Sequence, residues 1–388
     1  MKAPFRLVFL GLSITSSWGN GHATTYRALI RALQRRGHEI RFLERDVPWY
    51  ADNRDMPAPP GCRVDLYDSL ETLTERYGSL VRNADAVIVG SYVPDGAQVV
   101  HWVLEQARGL RLFYDIDTPV TLGRLAAGEP TYIAPQSIPL LDAYLSFSGG
   151  AALAKIESEY RAAIALPLYC SVDAELYAPK NSKKLRDFGY LGTYSADRQP
   201  ALTELLLEPA RAWSEGKFMV AGPNYPAQAW PGNVERVEHI APANHPAFYD
   251  SLRFTLNVTR EDMVKLGHSP SVRLFEAAAC ATPVVSDTWP GLDEFFEPGK
   301  EILLAETRAD VLAYLRSIPE SERRAIGARA RERVLREHTA LHRAALLEHY
   351  LRELRADRAA KLRAARRELA RSSGTQVAGS AGASAAES

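Results

Sequence analysis

Ser271-Val-Arg-Leu-Phe-Glu-Ala-Ala-Ala-Cys-Ala-Thr-Pro-Val-Val-Ser-Asp-Thr-Trp-Pro-Gly-Leu-Asp-Glu-Phe-Phe296 decides how this chain is read. It predicts a short helix with almost no side-chain bulk at Ala277-Ala-Ala-Cys-Ala281, running into a buried strand from Pro283 to Ser286. So slim a helix suits close packing, with a sheet on one side and a ligand near its N-terminus. Helix starts present N–H groups without internal partners and a partial positive charge, which suit a phosphate. Glu276 lies about a turn and a half in, placed to accept hydrogen bonds from ribose hydroxyls. The stretch reads as a nucleotide seat.

Around it, short apolar runs alternate with helical patterns, the mark of parallel sheets covered on both faces. The first half predicts strands at Arg6–Gly11, Glu39–Glu44, Arg63–Tyr67, Ala86–Gly90, Arg111–Asp115 and Ala143–Phe147. Helices are expected at Thr24–Arg36, Leu70–Arg82 and Ala97–Arg108, the first stopped by Arg36-Gly37-His38, where glycine can take the left-handed cap. The second half restarts the pattern at Phe188–Leu191, Lys217–Ala221, Val234–His239, Phe254–Asn257, Pro283–Ser286 and Ile302–Leu304. Between them, the polar stretch from Cys170 to Lys184 has no periodicity. The expected organisation is a domain over 1–170, a linker over 171–186 and a second domain over 187–350. Each is a doubly wound, Rossmann-like unit, and the two face one another across a cleft. A basic helical extension follows over 351–371, then a Gly/Ala/Ser tail over 372–388 expected to be disordered.

At 388 residues the chain exceeds what one core usually supports. With 47 basic and 47 acidic residues it carries no net charge, which gives no reason to invoke nucleic acid as a partner. Cys62, Cys170 and Cys280 are scattered, odd in number and without metal spacing, as in a reduced cytoplasmic protein. Leu7 to Ile14 imitates a signal peptide, but Gly11 and Ser13 interrupt it and an amphipathic helix follows, so it reads as a strand. No segment approaches the ~20 apolar residues of a membrane span. The extension carries Arg352, Arg355, Arg358, Lys361, Arg363, Arg366, Arg367 and Arg371, and a membrane-surface contact there stands as the lesser reading beside a solvated helix.

Several groups stand where open α/β sheets bind ligands, at strand-to-helix loops. The first loop, Ser16-Ser-Trp-Gly19-Asn20-Gly21-His22, has glycines that let the backbone approach a ligand, and Thr24 or Thr25 to cap the helix. Its glycine pattern fits neither a dinucleotide fingerprint nor a Walker loop. Asp115 and Asp117 end the fifth strand, where alternation sends both to one side. They hold acceptor hydroxyls, cap a helix or bind a metal. Gly192-Thr193 and Arg198 are candidates for donor phosphates, and Ala221-Gly222-Pro223-Asn224 for the nucleobase wall. Lys265, Ser271 and Arg273 are candidates for a diphosphate, with an ion pair to Asp293 or Glu294 as the structural alternative for Arg273.

Arg273-Leu-Phe-Glu276-Ala-Ala-Ala-Cys280-Ala-Thr-Pro-Val-Val285 with Gly291-Leu-Asp-Glu294 resembles the donor-binding signature of group 1 (family 4-like) glycosyltransferases of the GT-B fold. Phe113-Tyr-Asp-Ile-Asp-Thr-Pro119, Tyr190-Leu-Gly-Thr-Tyr194 and Leu256-Asn-Val-Thr259 are similar to the CgeB-like branch. The likeness spans about residues 5 to 350. It implies a hexosyltransferase-type enzyme using a nucleotide sugar, with no cofactor and no metal. It implies that Glu276 binds ribose, that Gly21 and His22 lie at the cleft, and that His22 is the base, as in some inverting members. Retaining members carry a second glutamate eight positions earlier. His268 stands there, so the motif is half kept and sugar and stereochemistry stay open. The competing readings are a nucleotide-sugar-binding protein without turnover, a GT-B-fold epimerase and, most remotely, a Rossmann oxidoreductase.

Overall fold

The computed structural model describes residues 3–180, 182–227 and 229–380, with side chains as far as residue 360. Residues 1–345 form one compact unit and residues 346–388 a second. Within the first unit lie two parallel sheets. The strands of the first are β1 (Arg6–Gly11), β2 (Glu39–Arg45), β3 (Arg63–Tyr67), β4 (Ala86–Gly90), β5 (Leu110–Asp115), β6 (Ala143–Ser146) and β7 (Ala165–Pro167). They are ordered β3-β2-β1-β4-β5-β6-β7. The second sheet holds β8 (Arg186–Leu191), β9 (Phe218–Ala221), β10 (Val234–Val237), β11 (Leu252–Asn257), β12 (Val284–Ser286) and β13 (Leu303–Leu304), ordered β10-β9-β8-β11-β12-β13.

Both orders reverse direction beside the first strand of the sheet, between β1 and β4 and between β8 and β11, so each sheet opens a crevice at the carboxyl ends of those strands. β1 and β4 are buried along most of their length, as expected of strands covered by helices on both faces. The helix His22–Arg35 packs Ala23, Tyr26, Leu29, Ile30 and Leu33 on the first sheet. The glycines that end β1 and β4 make room for rings: a methyl at Gly90 would collide with the Tyr26 hydroxyl, and one at Gly11 with the Phe42 ring. That helix is capped by Arg36, with Gly37 following at φ +89°. It begins two residues before the expected start. Gly21 occupies the cap position, the Asn20 Oδ1 accepts from the His22 N–H at 3.0 Å, and Thr24 Oγ1 donates back to the Gly21 carbonyl.

The stretch Ser271–Phe296 folds as a helix, Val272–Ala279, then β12. Its small residues take the close packing of the helix Glu320–Glu337, where a methyl on Gly327 would strike the Ala281 carbonyl and Arg331 Nη1 donates to the Ala279 carbonyl. The segment between β7 and β8 is tied by the returning chain, the Ala340 N–H donating to the Val172 carbonyl. β7 was not anticipated. After Pro319 the chain is helical at Glu320–Glu337 and again at Ala340–Ser380, past the expected end at Arg371. Extending an existing helix adds one hydrogen bond per residue without a new nucleation cost. The tail from residue 381, and the side chains of the basic face from Lys361 onward, lie outside the described residues.

Candidate active site

A cavity of about 500 Å³ opens between the two sheets and is lined from both. On the first side it meets the loop after β1, Tyr92 after β4 and Asp117 after β5; on the second, Gly192 and Thr193 after β8, Gly222 after β9, and the start of the helix Val272–Ala279. The crevices of the two sheets therefore form one site.

The first loop is held from beneath by Glu44, a fully buried carboxylate on β2. It accepts the N–H groups of Ile14 (2.7 Å) and Thr15 (3.0 Å) on Oε2, and the hydroxyls of Ser13 (2.9 Å) and Thr15 (2.5 Å) on Oε1. Asn20 donates to the carbonyls of Ser13 and Ser16 and fixes the turn that carries Gly19, Gly21 and His22 to the cavity wall. The His22 ring packs edge-on to Tyr92, centroids 5.2 Å apart, and its Nδ1 is buried with no hydrogen-bond partner among the described residues. Burial pushes its pKa down to about 4, against an opposing pull from Asp117.

The two aspartates part company. β5 ends at Asp115, and Asp117, with φ −141° and ψ 44°, already belongs to the cap of the helix Thr118–Ala126. Strand alternation does not reach it, so the expectation of two carboxylates on one side fails. Asp115 is sealed beneath the site, accepting from Tyr144 (2.6 Å), Thr121 (3.0 Å) and the Asp117 N–H (3.1 Å); burial raises its pKa to about 6. Asp117 lines the cavity and accepts on Oδ2 from Tyr92 (2.6 Å) and from Arg260 of the opposite lobe (3.3 Å). Among the described residues no three His, Cys, Asp or Glu side chains are grouped as metal ligands would be.

Glu276 is 3% exposed and faces the same cavity. Tyr249 donates its hydroxyl to Oε2 at 3.3 Å, and His245 Nδ1 lies 3.5 Å from that oxygen. His245 Nε2 is 3.1 Å from the Ile240 carbonyl, and Nδ1 is 3.2 Å from the Tyr177 hydroxyl. Burial, reinforced by the charge of Glu276, pushes the phenols of Tyr177 and Tyr249 well above their usual range, so both remain neutral donors. Three residues before it, Arg273 is buried against the face of Tyr190 at 4.8 Å. It donates to the Leu191 carbonyl (2.7 Å) and Asn257 Oδ1 (2.8 Å), and Asn257 also accepts from Ser271 Oγ (2.8 Å). Among the described residues Arg273 has no carboxylate partner, so the expected alternative, an ion pair with Asp293 or Glu294, is not formed. Its charge is left to the cavity. Arg198 donates to the Thr193 carbonyl at 2.7 Å and keeps a buried Nε without a partner among the described residues. Gly222 takes φ +145° against the Gly192 carbonyl, a contact that a side chain would prevent.

Two predicted donor residues are elsewhere. Lys265 is exposed and paired with Glu261 at 2.6 Å, outside the cavity lining. His268 is wedged between Gly150 and Gly291, its Nδ1 3.2 Å from Glu294 and its carbonyl accepting from the Gly149 N–H, so it joins the two lobes instead of facing the cavity. Its backbone takes a left-handed φ of +46°. Sequence reasoning missed Tyr92, His245, Tyr249 and Arg260. Only Arg260, eight residues before His268 and just after the Asn257-Val-Thr259 turn, lay near a segment already singled out.

Residues 198–349 match a family model described as glycosyl transferase-like. No curated protein matches the chain in sequence. Among solved structures, it is similar to a sucrose-phosphate synthase from Thermosynechococcus elongatus, with a TM-score of 0.67 at 15% identity over 91% of this chain and 100% of that one. It is similar also to HepE of Anabaena in complex with UDP-glucose (TM-score 0.65, 12% identity, 90% and 100% covered). An alpha-glucosyltransferase in complex with UDP gives a TM-score of 0.66 at 10% identity, with 89% and 99% covered. The two sheets and the cleft between them are the GT-B fold. No helix among the described residues is long and apolar enough to cross a membrane.

Proposed function

We propose that this chain is a glycosyltransferase that moves a sugar from a nucleotide-sugar donor to an acceptor hydroxyl without a metal or a cofactor. The observation that carries the reading is the placing of Glu276 and Arg273 in one cavity with His22 and Asp117 of the opposite lobe. The glycosyl transferase-like match over the second lobe and the UDP and UDP-glucose complexes of proteins with this fold support it. The donor lies on the second lobe: ribose hydroxyls donate to Glu276, Gly222 gives the base a flat wall, and Arg273, Arg198 and the N–H groups after Ser271 face the diphosphate.

In the transfer, the acceptor oxygen bonds to the anomeric carbon, the bond from that carbon to the diphosphate oxygen breaks, and the acceptor proton passes to His22. Negative charge grows on the departing diphosphate, so a cation and helix N–H groups aimed there lower the barrier. Burial keeps His22 unprotonated at pH 7 but lowers its basicity, so it acts as a weak base that takes the proton as the new carbon–oxygen bond forms, with the nearby charge of Asp117 favouring the protonated ring. Similarity of the Tyr190–Tyr194 and Leu256–Thr259 stretches supports assigning the chain to the CgeB-like branch, working in the cytoplasm. The test is release of nucleoside diphosphate from UDP-, GDP-, CDP- and dTDP-sugars. A second reading, a nucleotide-sugar-binding protein without turnover, is favoured by His268, which is turned from the cavity where a glutamate would contact the sugar. Tight binding with no release from any donor would establish it.

A further inference from the structure

The charges of the cavity are divided between the lobes. Its cations, Arg198, Arg260 and Arg273, all come from the second lobe. The first lobe contributes no lysine or arginine among the described lining residues, and its one carboxylate is Asp117. The Asp117 contacts described fall on Oδ2, from Tyr92 and Arg260, which leaves Oδ1 for a ligand. Arg260 is itself engaged by that carboxylate. His22 adds no positive charge at neutral pH.

The remaining polar lining of that lobe is Ser17, Thr24 and Thr25, with Asn20 spent on the loop itself, interleaved with the aromatic rings of Tyr50 and Tyr92. Hydroxyls and ring faces match a molecule with hydroxyl edges and C–H faces. A phosphate or carboxylate there would lose its hydration beside Asp117, with no cation of that lobe to replace the water. Like charges brought together across a binding surface act against the wrong partner.

We propose that the acceptor of this cavity is an uncharged polyhydroxylated molecule, a sugar or the end of a glycan, and that phosphorylated and carboxylated sugars are excluded from the first lobe by Asp117 and the absence of a basic partner. This inference rests on the transferase reading and names the substrate class of the same site.

The test uses the full chain in two arms. Calorimetry with UDP, GDP, CDP and dTDP first asks whether a nucleotide binds; failure there ends the transferase reading, not this inference alone. With the nucleotide that binds present, saturation-transfer NMR and diphosphate release then compare matched pairs: glucose with glucose 6-phosphate, fructose with fructose 6-phosphate, glucose with glucuronate. The uncharged member is expected to bind and to be glycosylated at least about tenfold better. In Asp117→Asn the binding preference should narrow even where turnover falls. Equal or better use of the phosphorylated members overturns the inference, as does a nucleotide-loaded protein that binds none of the uncharged sugars.

Discussion

Arg260 reaches across the cleft to Asp117, with Nη1 3.3 Å from Oδ2, and so joins the loop after β11 to the loop after β5. Tyr92 donates to the same oxygen at 2.6 Å. A carboxylate shared in this way is held in one orientation, and neither of these contacts falls on its second oxygen. The pair is half open to solvent on the arginine side, so its contribution to stability is small, about 1 kcal/mol or less. Its consequence is for the relative placing of the two lobes. Arg260→Ala should leave thermal unfolding nearly unchanged and lower diphosphate release by about tenfold, because misplacing the lobes by 1 Å costs more than the lost ion pair. A variant with parental turnover would remove Arg260 from this role.

His22 sets the acid limb of activity. Its pKa is lowered to about 4, chiefly by burial, so the free base persists well below the usual histidine range. Turnover should hold as pH falls through 6.5 and decline only as it approaches about 4. The unfolded state binds the extra proton first. The stability linked to this histidine is therefore fully present above pH 6.5 and is lost as pH falls from 6.5 to about 4. His22→Ala should cut turnover by ~10²-fold or more and flatten that part of the stability profile. An acid limb near 6.5 in the parent would contradict the assignment.

Gly222→Ala should damage the second lobe. The residue sits at φ +145°, and a methyl would meet the Gly192 carbonyl. Backbone strain of this kind costs about 1–3 kcal/mol, and here the displaced segment is the wall beside the nucleotide. A drop in the unfolding midpoint together with weaker nucleotide binding is expected. A variant that matches the parent in both would show that the loop yields freely.

Lys265→Ala should do nothing to nucleotide affinity. The side chain is 67% exposed and its partner is Glu261, one turn back on a solvated helix. Surface pairs of this kind contribute about 0.3–0.5 kcal/mol. A loss of tenfold or more in affinity would mean that the helix Glu261–Leu266 moves onto the donor.

Most of the scaffold was legible because the central parallel strands leave continuous apolar runs, and every strand but β7 coincides with an expected one, though β3 and β10 at the sheet edges are mixed in sequence. β7, Ala165-Leu-Pro167, is too short to show a period and contains a proline, which suits the sheet edge it occupies. At the site, Glu276 and Arg273 were legible from a slim helix feeding a strand. Their partners were not: Tyr249 precedes Glu276 by 27 residues and Tyr177 precedes His245 by 68, distances bridged only by the folded sheet. His268 and Lys265 misled for a related reason. Proximity in sequence to the Glu276 helix placed them in the donor site, whereas the turn at Gly267 and His268, with both φ values positive, sends them to other surfaces.

The central contact of the proposed donor site is Glu276 with the ribose of an activated sugar. Isothermal titration of UDP, GDP, CDP and dTDP into the parent and into Glu276→Ala tests this most directly. The parent should bind at least one of them, and the variant should bind that nucleotide more weakly by ~1–3 kcal/mol while remaining folded. Equal affinity in the two proteins, or no binding of any nucleotide to the parent, would contradict it.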